Sequence, residues 1–585
     1  MVRVLAKTRH QHGSPSVTIE KGAYRLHAPL LSRPSSKLHG KEVASRTAAN
    51  SLRSQYENRL ALLLVALALA AGFCFGSAYY LFKTRWESPA IPPFRSISDL
   101  ALASSFPSIV EATDFDPVWG DDPVQTGIYG DDKETKYLAY LPHSGFHNQR
   151  IAFENALVLA RILNRTLLVP PVRLGKSVLH YGTFENLKEF VASSDKTGLR
   201  HCADVSSWST LPVECGDFFD YTFVPWDWLV NLTTVRKQQQ LISRWDMTDT
   251  WLEHKLRITN NDTFTIKDRH QYHYRFVDND LFDIAGSRYD ESASISLLVQ
   301  VQQRLLQFGT LHGSSRLRLR VEQNIGIRTQ IRKSMVFTNQ YLLDIATCIG
   351  ELLGGDYLAA HIRIGDDHFS RDSMDNVRLI WWKLVHKTLG MTMDEATHLE
   401  SELTNAVGAA TPKIPLDIAA IRVPHPSPAP IKVGVPTMQC KGTLHTSKDR
   451  TVLNTPLYIS TDVPHPEGHP ALDLFLKTFP CTFFLSDFKR PNSSSSLAAA
   501  IPVLLPQELT NTSLHSSFSS PLQHLSTLRN PYDGLMLKDF LHPFLDAVVA
   551  GRAWAVVGTP GSTFSQFVED VLWREWKGWE IVQRG

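Results

Sequence analysis

The chain has 585 residues, with 60 Lys and Arg against 58 Asp and Glu and an apolar fraction of 43%. That length holds two or three globular units with sizeable cores. The near balance of charge gives no electrostatic footprint for nucleic acid or an acidic polymer.

In chain order, the first strong feature is Leu60 to Phe82, "LALLLVALALAAGFCFGSAYYLF", 23 residues without a charge. At about 1.5 Å per helical residue it is long enough to cross a hydrocarbon layer of about 30 Å. It is too long and too far from the start for a signal peptide, and it is apolar all round, unlike an ordinary core helix. The spacing predicts one transmembrane helix over 60–82. Residues 1–59 carry eleven Lys and Arg against three Glu, which predicts a cytoplasmic tail and a lumenal C-terminal part. The expectation is a single-pass type II protein of the Golgi or endoplasmic reticulum membrane. Five N-x-S/T sequons fit a lumenal location, at Asn164, Asn231, Asn261, Asn492 and Asn511, with Asn164 expected to be hidden by folding. Cys74 falls in the span. Cys202–Cys215 is the foremost disulfide candidate and Cys440–Cys481 a second, while Cys348 lies in an apolar helical pattern and reads as a buried thiol. No C-x-x-C pair suggests zinc.

Residues 83–135, rich in Pro, Ser and Asp, read as a stem. From Lys136 the pattern becomes α/β. Tyr137–Leu141 reads as a strand, Gly145–Arg150 as a polar loop, Ile151–Leu163 as a helix with one apolar face, and Thr166–Val169 as a second strand. That order makes a βαβ unit of a parallel sheet. A second such region begins near residue 338, with a helix to Leu353 and the apolar strand "YLAAHIRI" at 357–364. Strands are expected at 456–461, 481–485 and in "AWAVVG", with helices in "LHPFLDAVVAG" and from "TFSQFV" onward. Seven prolines between Pro412 and Pro436 mark residues 391–455 as an extended, partly disordered insertion. The architecture is two Rossmann-like domains, 136–335 and 336–585, with a cleft between them.

Ligands in open α/β sheets bind beyond the carboxyl ends of the strands. Three polar loops occupy that position: Gly145–Arg150, Gly365–His368 and Gly558–Ser565. The last, "GTPGSTFS", places small residues where a strand turns into a helix, a setting for an anion or for an ordinary turn. His361 and Arg363 alternate with Ala360 and Ile362, so both point to one face of a strand built for burial. A guanidinium there requires a carboxylate or phosphate, and Asp366 or Asp367 would serve as well as a ligand.

The motifs "GFHNQR" with "AFENALVLARILNRTLLVPP", "HIRIGDD" and "GTPGSTFSQFV" occur in this order and spacing. Together they resemble the GDP-fucose protein O-fucosyltransferase family, including its fungal and plant-type members, over residues 136–585 apart from the insertion. The resemblance implies a GT-B-like fold and inverting transfer of fucose from GDP-fucose to a protein or glycan hydroxyl, with no metal required. It implies that Arg363 binds the donor's β-phosphate and that Asn148 lies at the reacting sugar. His361 and Asp367 would flank the nucleotide, with Gly145 and Phe146 lining the donor site. Asp546 would meet the guanine, and Ser562, Thr563 and Phe564 would cradle phosphate and base. Two departures stand out: Ser144 occupies the place where some members carry a glutamate base, and Ile364 replaces a second arginine. Proton removal falls to His147 or a water chain. A transferase for another nucleotide deoxysugar, or an inactive sugar- or nucleotide-binding protein of the secretory pathway, are the competing readings.

Overall fold

The computed structural model describes residues 119–120, 134–205, 210–279, 287–365, 367–404, 436, 438–488 and 525–583, all within one compact unit, Ile109–Gly585. The expected tail and membrane span, and nearly all of the stem, lie outside the described residues. Among the described residues no helix is long and apolar enough to cross a membrane.

The fold is mixed α/β and built on parallel sheets. Strand β1 (Tyr137–Ala139) leads into helix α1 (Phe146–Ile162), β2 (Thr166–Val169) and β3 (Val172–Gly175), followed by β4 (Tyr221–Val224), β5 (Leu241–Ser243) and β6 (Thr263–Ile266). Then come β7 (Tyr274–Val277), β8 (Glu291–Ser294), β9 (Leu305–Phe308) and β10 (Leu317–Arg318). A five-stranded sheet has the order β5-β2-β1-β9-β6, with every pair parallel. β7, β8 and β10 form a small parallel sheet, and β3 pairs with β4 antiparallel. The short buried runs of β1, β2 and β9 are mostly apolar, Thr166 and Gln307 excepted, because both faces of a parallel sheet are covered.

Helices α2 (Glu322–Ser334) and α3 (Gln340–Leu352) carry the chain to the second sheet. There β11 (Leu358–Ile362) precedes helices α4 (Ser373–Trp382) and α5 (Met393–Leu403), then β12 (Leu457–Thr461) and β13 (Thr482–Phe483). Helix α6 (Lys538–Gly551), β14 (Ala555–Gly558) and the short helix α7 (Thr563–Gln566) complete it. The order β13-β12-β11-β14 is again all parallel, with His361 level with Ser460 on one side and Gly558 on the other. One apolar cluster runs from Leu138 and Phe146 through Phe544 to Trp573, so elements of both halves share a core.

Several expectations need correction. The stretch Phe146–Arg150 is the first turn of α1, not a loop. The segment 391–455 includes α5, and its end is pinned by a disulfide between Cys440 and Cys481; residues 405–435 lie outside the described residues. The Cys202–Cys215 disulfide is also present. Cys348 is half-buried rather than buried. Asn164 is exposed, because a left-handed φ of 48° turns it outward at the end of α1. Residues 530–533, which by chain position belong to the second half, bond to the first: Asn530 Nδ2 donates to Thr222 Oγ1 at 2.6 Å, and Lys196 Nζ pairs with Asp533 at 3.0 Å.

Candidate active site

The first turn of α1 is polar yet buried, because its side chains serve other elements. Gln149 Nε2 donates to the carbonyls of Ser144 (3.0 Å) and Arg173 (2.9 Å), and its Oε1 accepts from Arg173 N at 3.0 Å, which ties the turn to β3. Arg150 is fully buried, 3.8 Å from Glu154, and burial holds its guanidinium down to about 10. Glu154 in turn accepts from Arg332 of α2 at 2.7 and 2.9 Å and from Gln583 at 2.9 Å. Asn148 is different: its Oδ1 is buried with no hydrogen-bond partner among the described residues. An orphaned buried acceptor costs about 1–3 kcal/mol, which singles this amide out as a candidate ligand contact. His147, 2% exposed, has both ring nitrogens buried without a hydrogen-bond partner among the described residues. Burial first, then Arg150 and His312, push its imidazole well below the usual range. A proton acceptor so enclosed is poorly placed to meet a substrate.

Beside this turn opens a cleft of about 580 Å³, lined by Ser144, Gly145 and Phe146, by Arg173 and Lys176 of the β3 arm, and by Phe564. A Cβ on Gly145 would meet nothing within 4 Å, so this position faces open space. An aromatic junction carries the cleft to the second sheet: Phe146 lies 4.7 Å from Phe544 and 5.1 Å from Phe567, and Phe564 lies 5.8 Å from Phe567. Such pairs add about 0.5–1.5 kcal/mol each beyond burial.

At the carboxyl ends of β11 and β14 the backbone is shaped by short bonds. Ser562 caps α7 by accepting from Ser565 N at 3.3 Å, and Thr563 is the first residue of that helix. Ser565 Oγ meets His361 Nδ1 at 2.6 Å and accepts from Thr559 N at 3.1 Å. His361 sits 5.4 Å from the Phe564 ring, and burial, then Arg363, lower its imidazole to about 3. It is therefore a neutral hydrogen-bonding residue that holds the loop. Arg363 N donates to Thr559 Oγ1 at 2.9 Å, and its guanidinium carbon lies 5.2 Å from the Phe369 ring. Asp367 opens a short helix, Asp367–Arg371, and its side chain lies outside the described structure. Asp546 accepts from Tyr458 OH at 2.5 Å and from Thr461 N at 3.2 Å, so it holds the end of β12. Of the ten residues singled out from the sequence, Gly145, Phe146 and Phe564 line the cleft itself; His361, Arg363, Asp546, Ser562 and Thr563 sit at or beside the adjoining strand ends.

Sequence reasoning missed Asp462, which follows β12 and accepts from the N–H groups of Ile364 (2.9 Å) and Gly365 (3.0 Å), thereby shaping the turn after Arg363. It also passed over Asp278-Asn279-Asp280, an Asp-x-Asp at the end of β7. Asp278 is engaged there by Arg320 N, Val321 N and Asn324 Nδ2 at 2.8–3.0 Å, and so caps α2. His201 lies near Cys202 and Cys215, but both sulfurs are spent on their disulfide.

The family model for GDP-fucose protein O-fucosyltransferase matches residues 137–409. "O-fucosyltransferase 30" of Arabidopsis thaliana is 62% identical over 37 residues, which are 6% of this chain and only 7% of that relative. Crystal structures of POFUT1 with GDP-fucose are similar at 13% identity, covering 74% of this chain and 93% of that one, with a TM-score of 0.29. A POFUT1 structure with GDP is similar at 12% identity, covering 76% and 97%, with a TM-score of 0.31. The matched span, a little under half of the chain, holds both the β1–α1 turn and the His361–Arg363 strand end.

Proposed function

We propose that the chain is a type II membrane enzyme that transfers fucose from GDP-fucose to a protein or glycan hydroxyl, with inversion at the anomeric carbon and without a metal. Its frame would be GT-B-like, with Rossmann-like domains at 136–335 and 336–585. The family match over 137–409 carries this reading. It is supported by the orphaned Oδ1 of Asn148 close to the cleft and by Arg363 at the end of β11.

In such a transfer the bond from sugar C1 to the diphosphate breaks through an oxocarbenium-like transition state, and negative charge grows on the departing phosphate. Arg363, with a planar two-pronged donor set, would neutralise that charge, and Asn148 would orient the sugar or the acceptor. The test is release of GDP by the full-length protein in detergent, in excess EDTA, across GDP-fucose and other nucleotide deoxysugars. GDP-fucose should be turned over, and Arg363→Lys should slow it by about 10²–10³-fold while the protein stays folded. A strict need for a divalent ion overturns the metal-free mechanism. Preference for another donor overturns fucose, and GDP binding without turnover of any donor makes the chain a binding protein.

A further inference from the structure

Ser144 stands at the mouth of the cleft with φ at 66°, a left-handed backbone that a non-glycine residue holds at a cost of about 1–3 kcal/mol. Every polar group of the residue is engaged in holding that turn. Its N–H donates to Leu179 O at 2.7 Å, its carbonyl accepts from Gln149 Nε2, and its Oγ lies 2.7 Å from His143 Nδ1. His143 is 2% exposed, and its Nε2 lies 2.6 Å from Thr310 Oγ1. Thr310 is fixed in turn: its Oγ1 accepts from His312 N at 3.0 Å and its N–H donates to Asp268 Oδ2 at 2.9 Å. A hydroxyl at the cleft is thus wired to a buried imidazole, which is wired to a second buried hydroxyl 167 residues away in sequence.

We propose that Ser144 and His143 form the relay that takes the proton from the attacking hydroxyl, with Thr310 fixing the ring; this rests on the glycosyl-transfer reading above. The tautomer is assigned with the proton on Nε2, donated to Thr310 Oγ1, which leaves Nδ1 to accept from Ser144. As the acceptor oxygen bonds to C1 and the C1–phosphate bond breaks, the electron pair leaves with GDP. The acceptor's proton passes to Ser144 Oγ while Ser144's own proton passes to Nδ1. The imidazolium then returns its proton to solvent as GDP departs. Burial, then His312, Arg316 and His180, disfavour the charged ring, and Tyr181 packs 5.1 Å from it. His143 is therefore neutral and ready to accept at every working pH. A weak base suffices, because an alcohol bonding to an oxocarbenium carbon becomes a strong acid in the transition state. The wire also gives the proton a path to a base that the substrate cannot touch.

The probe is GDP-fucose with water as the attacking hydroxyl, measured as GDP release by the full-length chain, alongside GDP affinity by calorimetry. Ser144→Gly relieves the left-handed strain while removing the hydroxymethyl group, so it should fold at least as well as the wild type. Its kcat should fall about 10²-fold or more with KM for GDP-fucose and GDP affinity unchanged. His143→Gln should lose a similar factor, the double variant no more than either, and the solvent deuterium isotope effect should shrink in all three. Ser144→Gly releasing GDP at the wild-type rate overturns the relay while leaving the proposed function in place. Loss of GDP affinity along with rate in both variants makes the chain of bonds a structural prop and also overturns it. A wild-type protein that binds GDP yet releases none from GDP-fucose overturns the function and the relay together.

Discussion

Acidification from pH 7 to pH 5 is expected to weaken the fold through histidines buried in neutral form. His361 is 6% exposed with its imidazole lowered to about 3, and His312, half-buried, is lowered to about 4, in both cases first by burial. His143 and His147, each 2% exposed, are pushed in the same direction. In the unfolded chain each of these rings takes up a proton near pH 6.5, whereas in the folded protein it does not. The unfolded state therefore binds more protons, and stability is retained above about pH 6.5 and lost as the pH falls below it. Each ring loses about 1.4 kcal/mol per pH unit in that window, so His361 contributes about 2 kcal/mol between pH 7 and pH 5. His312 contributes about the same, and the other two add with the same sign. Asp268 works the other way, since burial raises its carboxyl, but it offsets only part of four rings. Urea unfolding of wild type and His361→Gln at both pH values isolates one share. The variant should lose about 2 kcal/mol less on acidification than the wild type. Equal losses in the two proteins, or a wild type that gains stability at pH 5, would refute the reasoning.

Two further predictions concern topology and the turn after β14. In sealed membranes, protease should trim only residues 1–59, and a glycosidase should shift the full-length protein, with Asn164→Gln removing one glycan because Asn164 is exposed; loss of the C-terminal part to protease reverses the orientation. Gly558→Ala places a Cβ 2.6 Å from Ser565 Cβ and 3.2 Å from its Oγ, an overpacking worth about 1–3 kcal/mol that pushes α7 off His361. Melting temperature and GDP affinity should both fall. A lower melting temperature with unchanged affinity would remove this turn from the proposed nucleotide site.

Much of the sheet was legible because buried parallel strands are mostly apolar on both faces, as in Thr166–Val169 and Leu358–Ile362, where Thr166 and His361 are the polar exceptions. The start of α1 was not. Its first turn, His147 to Arg150, looks like a loop to any rule that sends polar residues to solvent, yet here those residues are buried against β3, α2 and the C-terminus. Helix α5 was overlooked for another reason. Thr392 and Glu395 form a capping box that the sequence displays, but the prolines that follow drew the whole segment into one reading. Asp462 and Thr310 give no local signal at all, since what they do depends on partners about a hundred residues or more away.

The same long-range bonds explain how a short polar turn holds its geometry. Glu154, with no exposure, gathers Arg332 from α2, Gln583 from the end of the chain and Arg150 from its own helix. Removing one partner of such a buried charge leaves the other uncompensated, a cost of about 3–5 kcal/mol. Helix α1 is therefore locked in rotation about its axis, and the lock fixes where Phe146 and Asn148 stand. Phe146 spends its ring on Phe544 and Phe567, which binds the turn to the second sheet. Asn148 in that turn keeps a buried side-chain acceptor unmet among the described residues, as does the neutral ring of His147, on a helix otherwise fixed by its neighbours. A rigid frame around unmet polar atoms is the arrangement that binding requires, because the cost of ordering them has been met during folding.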